Sequence, residues 1–348
     1  MKVDLAAGSP PPSAVGGIAR EAESFGFDAM WLAETEHDPF VGAGLALSAT
    51  ARLRVGTGIA VAFARSPVAL AQTAFDLAAL SDGRFLLGLG TQVRAHVERR
   101  FGMPWSAPAP RLAEWIAAVR AAWATWQDGA PFRLHSEHLD LSLMSPFFSP
   151  PPLTFDRPDG GPRIPVSIAG VGPGLARLAG RSADGFQVHP FHTARYLAEV
   201  LEPALDEGAS GREAWPGRAP RAERIVPVFL APTDEPALLE EARQRIAFYA
   251  STPSYRPVLD LHGAGHVGER LGRLAATGRW SEMGALVPDE LLALVAVMGP
   301  ASALPEMVVA RVAGHADRVL PLLPFPPDPE SASGTRLWRD LLDTLRAA

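Results

Sequence analysis

Two short apolar runs on either side of a longer apolar segment decide the fold: RVGTGIAV at Arg54–Val61, PVALAQTAFDLAAL at Pro67–Leu80 and RFLLGLG at Arg84–Gly90. The middle segment begins with proline, which the first turn of a helix tolerates. The flanking runs are continuously apolar rather than alternating, which is typical of strands buried on both faces. The order strand, helix, strand predicts a parallel pair.

The same alternation extends along the whole chain. Strands are predicted at Lys2–Ala6, Asp28–Ala33, Arg54–Val61, Arg84–Gly90, Pro165–Gly170, Asp184–His189, Arg224–Ala231 and Asp317–Leu323. Helices are predicted at Ser13–Phe25, Pro67–Leu80, Arg111–Trp126, Leu175–Ser182, Thr193–Glu207 and Arg336–Arg346. Eight strands, nearly all separated by helices, predict an α/β fold, a closed (β/α)8 TIM barrel. The alternative is an open doubly wound sheet, but no G-x-G-x-x-G follows the first strand.

Two segments break this rhythm within an expected single domain covering residues 1–348. Residues 128–163 form a long, proline-rich loop, and loops of this length inside a domain are usually functional, so we expect a lid. Residues 234–315 are too long for one crossover, and we expect a helical insertion before the last strand.

The composition limits the class of partner. Of 348 residues 47% are hydrophobic, and 38 acidic residues against 32 basic ones give a net charge of −6. This balance argues against nucleic acid as a partner. The absence of cysteine excludes thiolate chemistry and Cys-based metal sites. The start MKVDLAAG does not resemble a signal peptide, and no run has the roughly 18 apolar residues of a membrane helix. We therefore expect a cytoplasmic protein without a membrane partner.

A barrel places its chemistry at the carboxyl ends of its strands. After the second strand comes Glu34-Thr35-Glu36-His37-Asp38. An imidazole between carboxylates is suited to donate a proton or to bind a ring; the alternative is that Asp38 only caps the next helix. In the third strand, Gly56 and Gly58 either let a flat ring approach the backbone or reflect tight barrel packing. The residues alone leave both choices open.

Three further strand ends carry candidate residues. The fourth strand is followed by Thr91 and Gln92 and then by a basic cluster, in which Arg94, His96, Arg99 and Arg100 either hold a polyanionic cofactor tail or form a solvated helix face. After the fifth strand, the glycine-rich turn at 170–174 leads into a helix, which suits a phosphate or a plain tight turn. After the sixth strand, His189 and His192 are positioned to line a pocket for a small-molecule substrate.

The sequence offers little for metal binding or nucleophilic catalysis. His135 and His138 flank Glu137 in the long loop, but a metal site needs a third and usually a fourth ligand, so we expect no metal. We find no G-x-S-x-G nucleophile motif.

Four motifs, in this order, resemble a known family. The Glu36-His37 pair, VGTGIAVAFARSP at 55–67, DGRFLLGLGTQ at 82–92 and IAGVGPGLARLAGRSADGF at 168–186 are similar to the luciferase-like monooxygenase superfamily. More narrowly, the chain resembles the branch that uses the deazaflavin coenzyme F420. The stretch YASTPSY at Tyr249–Tyr255 also resembles an actinobacterial-type subgroup of it.

The resemblance implies roles for individual residues. His37 would contact the deazaflavin and assist proton transfer, and the Gly58–Ile59 bond would be a cis peptide that bulges against the ring. The remaining implied cofactor contacts are Thr91 and Gln92 beside the ring, His96 near the tail, and Gly170, Val171 and Gly172 at the phosphate.

The chain departs from the sugar-phosphate dehydrogenases of this branch in two places. Val93 stands where they have an acidic glutamate, and His192 lies near the place of their phosphate-binding lysine. We therefore expect no sugar-phosphate substrate, and His37 or Glu36 would have to supply a proton, unless solvent does.

Three functions follow as hypotheses. The first is an F420-dependent oxidoreductase that transfers a hydride between the cofactor and a small organic substrate. The second is an FMN-dependent two-component monooxygenase, since one barrel serves both chemistries. The third is a non-catalytic protein that binds F420 or flavin. The resemblance also implies a homodimer.

Overall fold

Parallel strands close into a barrel in the computed structural model, which describes residues 1–155, 163–212, 218–327 and 332–348. The strands are β1 (Lys2–Gly8), β2 (Ala29–Leu32), β3 (Arg54–Thr57), β4 (Ala60–Val61), β5 (Phe85–Gly90), β6 (Leu134–His135), β7 (Asp140–Leu141), β8 (Val166–Gly170), β9 (Gly185–Val188), β10 (Glu223–Pro232), β11 (Ala296–Gly299) and β12 (Arg318–Leu322). The barrel has eight strand positions, in the order β1-β2-β3-β5-β8-β9-β10-β12. The ring closes because β12 pairs with β1. Every pairing in this ring is parallel, so the predicted closed barrel is confirmed and the open sheet is wrong.

Helices connect the strands. They are α1 (Pro12–Phe25), α2 (Pro39–Ala49), α3 (Pro67–Leu80), α4 (Arg94–Arg99), α5 (Pro108–Asp128), α6 (Pro173–Ser182), α7 (Ala194–Tyr196), α8 (Glu202–Ala209), α9 (Pro236–Ala250), α10 (Arg256–Asp260), α11 (Gly265–Ala276), α12 (Asp289–Val295), α13 (Leu304–Val312) and α14 (Ala332–Ala347). Several begin at a proline, because the missing N–H has no intrahelical partner in the first turn anyway. A π-helical segment, Leu197–Leu201, joins α7 to α8, so the helix predicted at Thr193–Glu207 is interrupted. Within the described ranges, we find no helix with the length and apolar character needed to span a bilayer.

Alternate residues of the strands point into the barrel. Ala29, Trp31, Leu86, Ile225 and Leu320 form an apolar cluster separate from the large core between strands and helices. Beside this cluster, Arg318 forms two hydrogen bonds to Asp4, at 2.6 and 2.7 Å, and the Trp31 indole donates to the same carboxylate at 2.8 Å. Asp4 is 0% exposed and Arg318 is 1% exposed. A fully buried ion pair therefore joins the first and last barrel strands.

The third barrel position is split by a bulge between β3 and β4. Gly56 pairs with Leu86 and Ala60 pairs with Leu89, so one extra residue lies on this strand relative to β5. The Thr57 hydroxyl fills the gap in the ladder, because it accepts from the Gly88 N–H at 2.9 Å and donates to the Gly88 carbonyl at 2.6 Å. The bulge is thus a defined feature held by one side chain.

Replacing Gly88 with alanine should destabilise the protein by about 1–3 kcal/mol, the usual effect of overpacking. The new Cβ would lie 1.8 Å from the Thr57 carbonyl oxygen and 2.3 Å from Gln187 Nε2, so the backbone of the bulge would have to move. Urea unfolding measures the difference. The matched control is Gly17→Ala at an exposed position of α1. A Cβ there meets nothing within 4 Å, so alanine should be neutral or slightly stabilising. Equal stability of Gly88→Ala and wild type would contradict this account of the bulge.

The segment 234–315 contains helices α9 to α13 and also a strand that was not predicted. Helix α12 continues directly into β11, which pairs with the carboxyl-terminal half of β10 from Phe229 to Pro232. β11 thereby extends the sheet beyond the short β9 on that side of β10.

The described part of the proline-rich segment lies along α5. The β6–β7 hairpin contacts Glu114, Met144 accepts from the Trp126 indole at 3.3 Å, and the Leu153 amide donates to Gln127 at 2.9 Å. Residues 156–162 of the segment lie outside the described residues. These contacts run to the outer helix layer, and the expected role as a lid stays a prediction.

Candidate functional site

The carboxyl ends of β2, β4, β5, β8 and β9 lie together at one end of the barrel, because these neighbouring strands are parallel. Hydrogen bonds connect the loops that follow them: the Glu34 amide donates to the Ile59 carbonyl at 3.1 Å, and the His189 amide donates to the Gly170 carbonyl at 3.2 Å. The fold therefore brings the loops of the predicted site residues to one end, which we call the mouth.

The loop that carries His37 is held at several points. The His37 amide donates to Ser9 Oγ at 3.0 Å, and Arg100 donates to the Thr35 carbonyl. Asp38 caps α2 by accepting from the amides of Phe40 and Val41, so the capping alternative is realised. The His37 side chain is partly exposed and Glu36 is exposed. Capping and a functional His37 are compatible, since the cap fixes the loop and leaves the imidazole accessible.

Arg65 fixes this loop from the neighbouring strand, and sequence analysis did not select it. Glu34 is nearly buried and accepts from the Val61 amide and from Arg65 Nη1, both at 2.7 Å, while Arg65 Nη2 donates to Asp38 at 2.8 Å. Burial opposes the charge on Arg65, but the two carboxylates outweigh it and raise the arginine pKa. The sequence did contain a signal that could have selected Arg65. It is a basic residue at a strand end, shortly after the third predicted strand and directly before the helix cap Ser66.

The Gly58–Ile59 backbone reaches the mouth. Both residues are partly exposed, whereas Thr57 and Ala60 on either side are buried, and the bond between them is cis, as the resemblance implies. The two glycines have separate explanations. A Cβ at Gly56 would lie 2.5 Å from the Trp31 ring, so that glycine reflects barrel packing. A Cβ at Gly58 would lie 3.0 Å from Trp31 Cβ and 3.4 Å from Gln187 Oε1, which leaves the backbone as the surface towards the mouth.

The residues after β5 form a tight turn followed by an exposed helix. Gln92 has a left-handed φ of 58°, its side chain accepts from the Val93 amide at 3.0 Å, and Thr91 donates to the Gln92 carbonyl at 3.3 Å. His96 is exposed on α4, where Arg94 pairs with Glu98. The basic cluster is thus mainly a solvated helix face, apart from Arg100, which holds the His37 loop.

The turn after β8 leads into α6 with an uncapped amino terminus. Gly172 is the N-cap, and within the described ranges no side chain accepts from the first-turn amides, while a Cβ at Gly172 or Gly174 would meet nothing within 4 Å. Gly170 is different, because a Cβ there would lie 2.6 Å from Leu175. Gly170 therefore permits helix packing, and Val171 and Gly172 form the open part. Free amides beside open space at a helix start fit a phosphate.

His189 and His192 follow β9 and are both neutral at neutral pH. Burial, with His192 nearby, lowers the pKa of His189 from 6.5 to about 3. Burial and Arg311 lower the pKa of His192 to about 4. The His192 ring is 5% exposed and its Nδ1–H donates to the His189 carbonyl at 3.1 Å. His192 is therefore a buried structural donor, while His189 is partly exposed at the mouth.

The free energy of unfolding should fall on acidification, and His192 should account for part of this fall beside His189, whose pKa is lowered in the same direction. The folded-state pKa of His192 lies below the unfolded value of 6.5, so the unfolded chain binds more protons between pH 6.5 and about 4. The resulting loss in the free energy of unfolding is absent above pH 6.5, and the His192 contribution grows to roughly 3 kcal/mol near pH 4. Urea unfolding at pH 7.5 and pH 5 measures it. His192→Asn retains an amide donor and should reduce the difference, whereas the exposed His266→Asn should not change it. An equal pH dependence in wild type and His192→Asn would contradict the assignment.

Comparison with known proteins identifies the family. The model of the luciferase-like monooxygenase family matches residues 2–319. The chain belongs to this family. An uncharacterized protein of Mycobacterium tuberculosis is 43% identical to it over 302 residues, which cover 86% of this chain and 87% of that protein. Another protein of the same organism, named as a coenzyme F420-dependent oxidoreductase, is 27% identical over 84% of this chain and 85% of its own length.

A solved structure of low sequence identity shares the fold. The coenzyme F420-dependent tetrahydromethanopterin reductase of Methanopyrus kandleri superposes with a TM-score of 0.76 at 17% identity, covering 99% of this chain and 97% of that chain. The predicted luciferase-like barrel is thereby confirmed.

A cavity of about 790 Å³ lies at the opposite end of this luciferase-like barrel. The amino-terminal ends of the strands line it, among them Lys2, Arg54, Val166 and Glu223. Two of the lining residues, Arg163 and Arg218, directly follow segments that lie outside the described ranges, residues 156–162 and 213–217. Chemistry in such barrels belongs to the carboxyl ends of the strands, so we assign no site to this cavity.

Of the two histidines considered in the long loop, only His138 belongs to a cluster of potential metal ligands, whereas His135 lies beside Asp140. Glu114, Glu137 and His138 have potential ligand atoms within 4.8 Å of one another. However, the Glu114 carboxylate already accepts from Ser136 Oγ at 2.6 Å and from the His138 amide at 2.9 Å, and it contacts the His138 ring at 3.0 Å. These bonds attach the β6–β7 hairpin to α5, which accounts for the cluster without a metal.

Proposed function

We propose that the protein is an F420-dependent oxidoreductase that transfers a hydride between the deazaflavin and a small organic substrate at the mouth. One observation carries the proposal: the His37 loop is bonded to the Gly58–Ile59 bulge through the Glu34 amide and the Ile59 carbonyl. The loop that carries this imidazole therefore lies beside a partly exposed stretch of backbone. The names of the F420-dependent relative and of the structural neighbour support the choice of cofactor.

The described residues fit the cofactor at two places. The Gly58–Ile59 backbone, with Thr91 and Gln92 directly after the next strand, offers one side of a site for a planar ring. At the uncapped start of α6, Val171 and Gly172 offer free amides for the phosphate, and Gly170 lets the helix pack closely behind them. His96 on exposed α4 is available to the acidic tail. When bound, F420 supplies a ring carbon that accepts or donates a hydride.

The protein's own contribution is position and proton transfer. His37 is a partly exposed imidazole at the mouth, and its loop is fixed by Ser9, Arg65 and Arg100. Exposed Glu36 is the second candidate acid. Val93 has no proton to give, so the acid of the sugar-phosphate dehydrogenases has no counterpart at that position. We assign proton transfer to His37 because a fixed donor is the more effective one.

Titration of the purified protein with F420 and, separately, with FMN tests the cofactor. We expect F420 binding, and Gly172→Asp should weaken it at least about tenfold. Aspartate is favoured at an N-cap, so the fold is preserved, but its carboxylate would occupy the amides offered to the phosphate. The matched control is Gly17→Asp in open space on α1, which should leave F420 affinity unchanged.

Tight FMN binding without F420 binding would refute the proposal. Oxygen uptake with reduced FMN and substrate would then identify a monooxygenase instead.

A further inference from the structure

Three aromatic rings meet at the mouth, and two of them come from the insertion. His189 follows β9, Tyr249 ends α9, and Tyr255 lies in the short 3-10 turn that follows. The ring centres of His189 and Tyr255 are 4.2 Å apart, and those of His189 and Tyr249 are 4.9 Å apart in an edge-to-face arrangement. We call these three residues the aromatic box. Two of the chain's three tyrosines belong to it, both from the stretch YASTPSY.

The box lies beside the candidate cofactor site and rests on the core. The His189 amide is bonded to the carbonyl of Gly170, at the start of the candidate phosphate turn. Behind the box, buried Phe229 of β10 packs on Tyr249 with ring centres 6.1 Å apart, and buried Phe191 packs near Tyr255 at 6.4 Å. The three box residues are only partly buried, so part of their surface is accessible to a ligand.

Each of the three rings of the box can donate a hydrogen bond, and the two phenol oxygens can also accept one. The Phe191 amide donates to His189 Nδ1 at 3.1 Å, which places the imidazole proton on Nε2. Burial raises the pKa of Tyr255 to about 12 and also raises the pKa of Tyr249, so both phenols keep their protons. Among the described residues, neither phenol oxygen has a hydrogen-bond partner, and neither is sealed from solvent.

The box itself carries no formal charge. Its imidazole is neutral, and no described carboxylate or cation forms an ion pair with the three rings. Arg245 acts on Tyr249 from the exposed face of α9, where it pairs with Glu241. His192 is buried and neutral, and Arg311 donates to the Leu294 carbonyl. Because Arg245 and Arg311 are already engaged by Glu241 and by the Leu294 carbonyl, an anionic group placed here would lose water and gain only a weakened attraction to them.

We propose that the aromatic box is the substrate subsite, and that it selects an uncharged molecule with an aromatic or apolar body and a hydrogen-bond acceptor such as a carbonyl oxygen. The rings stack on the body and the donors orient the acceptor. A carbonyl is also a group that a hydride reduces to an alcohol, with the proton taken up by the oxygen. This substrate class rests on the proposed function, whereas binding to the box does not require the cofactor.

Ligand-observed NMR on the cofactor-free protein tests the proposal, with acetophenone, ethylbenzene and phenyl phosphate as probes of one ring size. The measurements use the Gly172→Asp background, in which the carboxylate occupies the amides of the candidate phosphate turn, so that phenyl phosphate reports on the box alone. We expect acetophenone to bind at least about tenfold more tightly than phenyl phosphate, and Tyr255→Leu to weaken it about tenfold. Tyr255→Phe keeps the ring and should reduce the preference for acetophenone over ethylbenzene. Tyr196→Phe is the matched control, because this third tyrosine is 2% exposed and outside the box.

Equal or tighter binding of phenyl phosphate, or unchanged acetophenone affinity in Tyr255→Leu, would overturn the proposal. Its failure is separable from failure of the proposed function. Acetophenone selectivity in a protein that does not bind F420 would refute the cofactor alone, and F420 binding without that selectivity would refute the subsite alone.

Discussion

Turnover should fall by about two to four orders of magnitude when His37 is replaced by alanine, the usual contribution of a positioned acid or base. His37 is the partly exposed imidazole on a loop fixed by Ser9, Arg65 and Arg100, and Val93 cannot replace it as a proton donor. The rate with F420 and a ketone substrate measures the effect. Because the Asp38 cap and the Arg65 bridges do not involve the imidazole, the variant should fold normally.

The control is His266→Ala, an exposed histidine on α11, which should turn over at the wild-type rate. The F420 affinity of His37→Ala separates two explanations. Retained binding with lost turnover supports proton transfer by His37. If wild type and His37→Ala bind F420 equally and neither converts any substrate, the protein is a cofactor-binding protein rather than an enzyme.

Replacing Arg318 with methionine should lower the free energy of unfolding by about 3–5 kcal/mol, because it leaves the Asp4 carboxylate buried and unpaired inside the barrel. Burial raises the pKa of Asp4. For Arg318, burial acts to lower the pKa, but the nearby Asp4 carboxylate outweighs it and the pKa of the arginine is raised. Three donors converge on Asp4, two from Arg318 and one from Trp31, so we regard the pair as ionised. Urea unfolding at neutral pH measures the loss.

Two controls sharpen this prediction. The double variant Asp4→Leu with Arg318→Met removes both charges and should recover much of the lost stability, since apolar side chains often replace a buried ion pair without loss. Arg279→Met breaks an exposed pair with Glu282 and should leave stability unchanged. A double variant as unstable as Arg318→Met alone would show that packing, rather than the unpaired charge, is responsible.

The barrel was predictable because strands buried on both faces leave a plain signal, continuous apolar runs between amphipathic helices. β11 left no such signal. Its four residues Ala296–Gly299 follow α12 without a break, so the sequence shows one apolar stretch in which helix and strand cannot be distinguished. Only pairing with β10 makes these residues extended. Likewise, the bulge depends on Thr57 bonding to Gly88, more than thirty residues away.

The candidate site was predictable at the level of loops, since the carboxyl ends of parallel strands meet at one end. Contacts across the mouth were not predictable. Arg65 became relevant only because it bridges Glu34 and Asp38, and the two tyrosines only because the insertion brings them to His189. In the opposite direction, Gly56 and Gly170 looked functional in the sequence but are explained by packing against Trp31 and Leu175.

The pairing of β1 with β12 has a consequence for biosynthesis. Lys2 aligns with Arg318 and Val3 with Val319, so during translation β1 can pair on this side only after more than 300 further residues have been added. At about 5–20 residues per second, this delay is on the order of 15–60 s. Throughout that time β1 has an unpaired edge, a template for association between nascent chains. The closed ring that protects the finished protein thus exposes the growing polypeptide, and ribosome-associated chaperones would have to shield it.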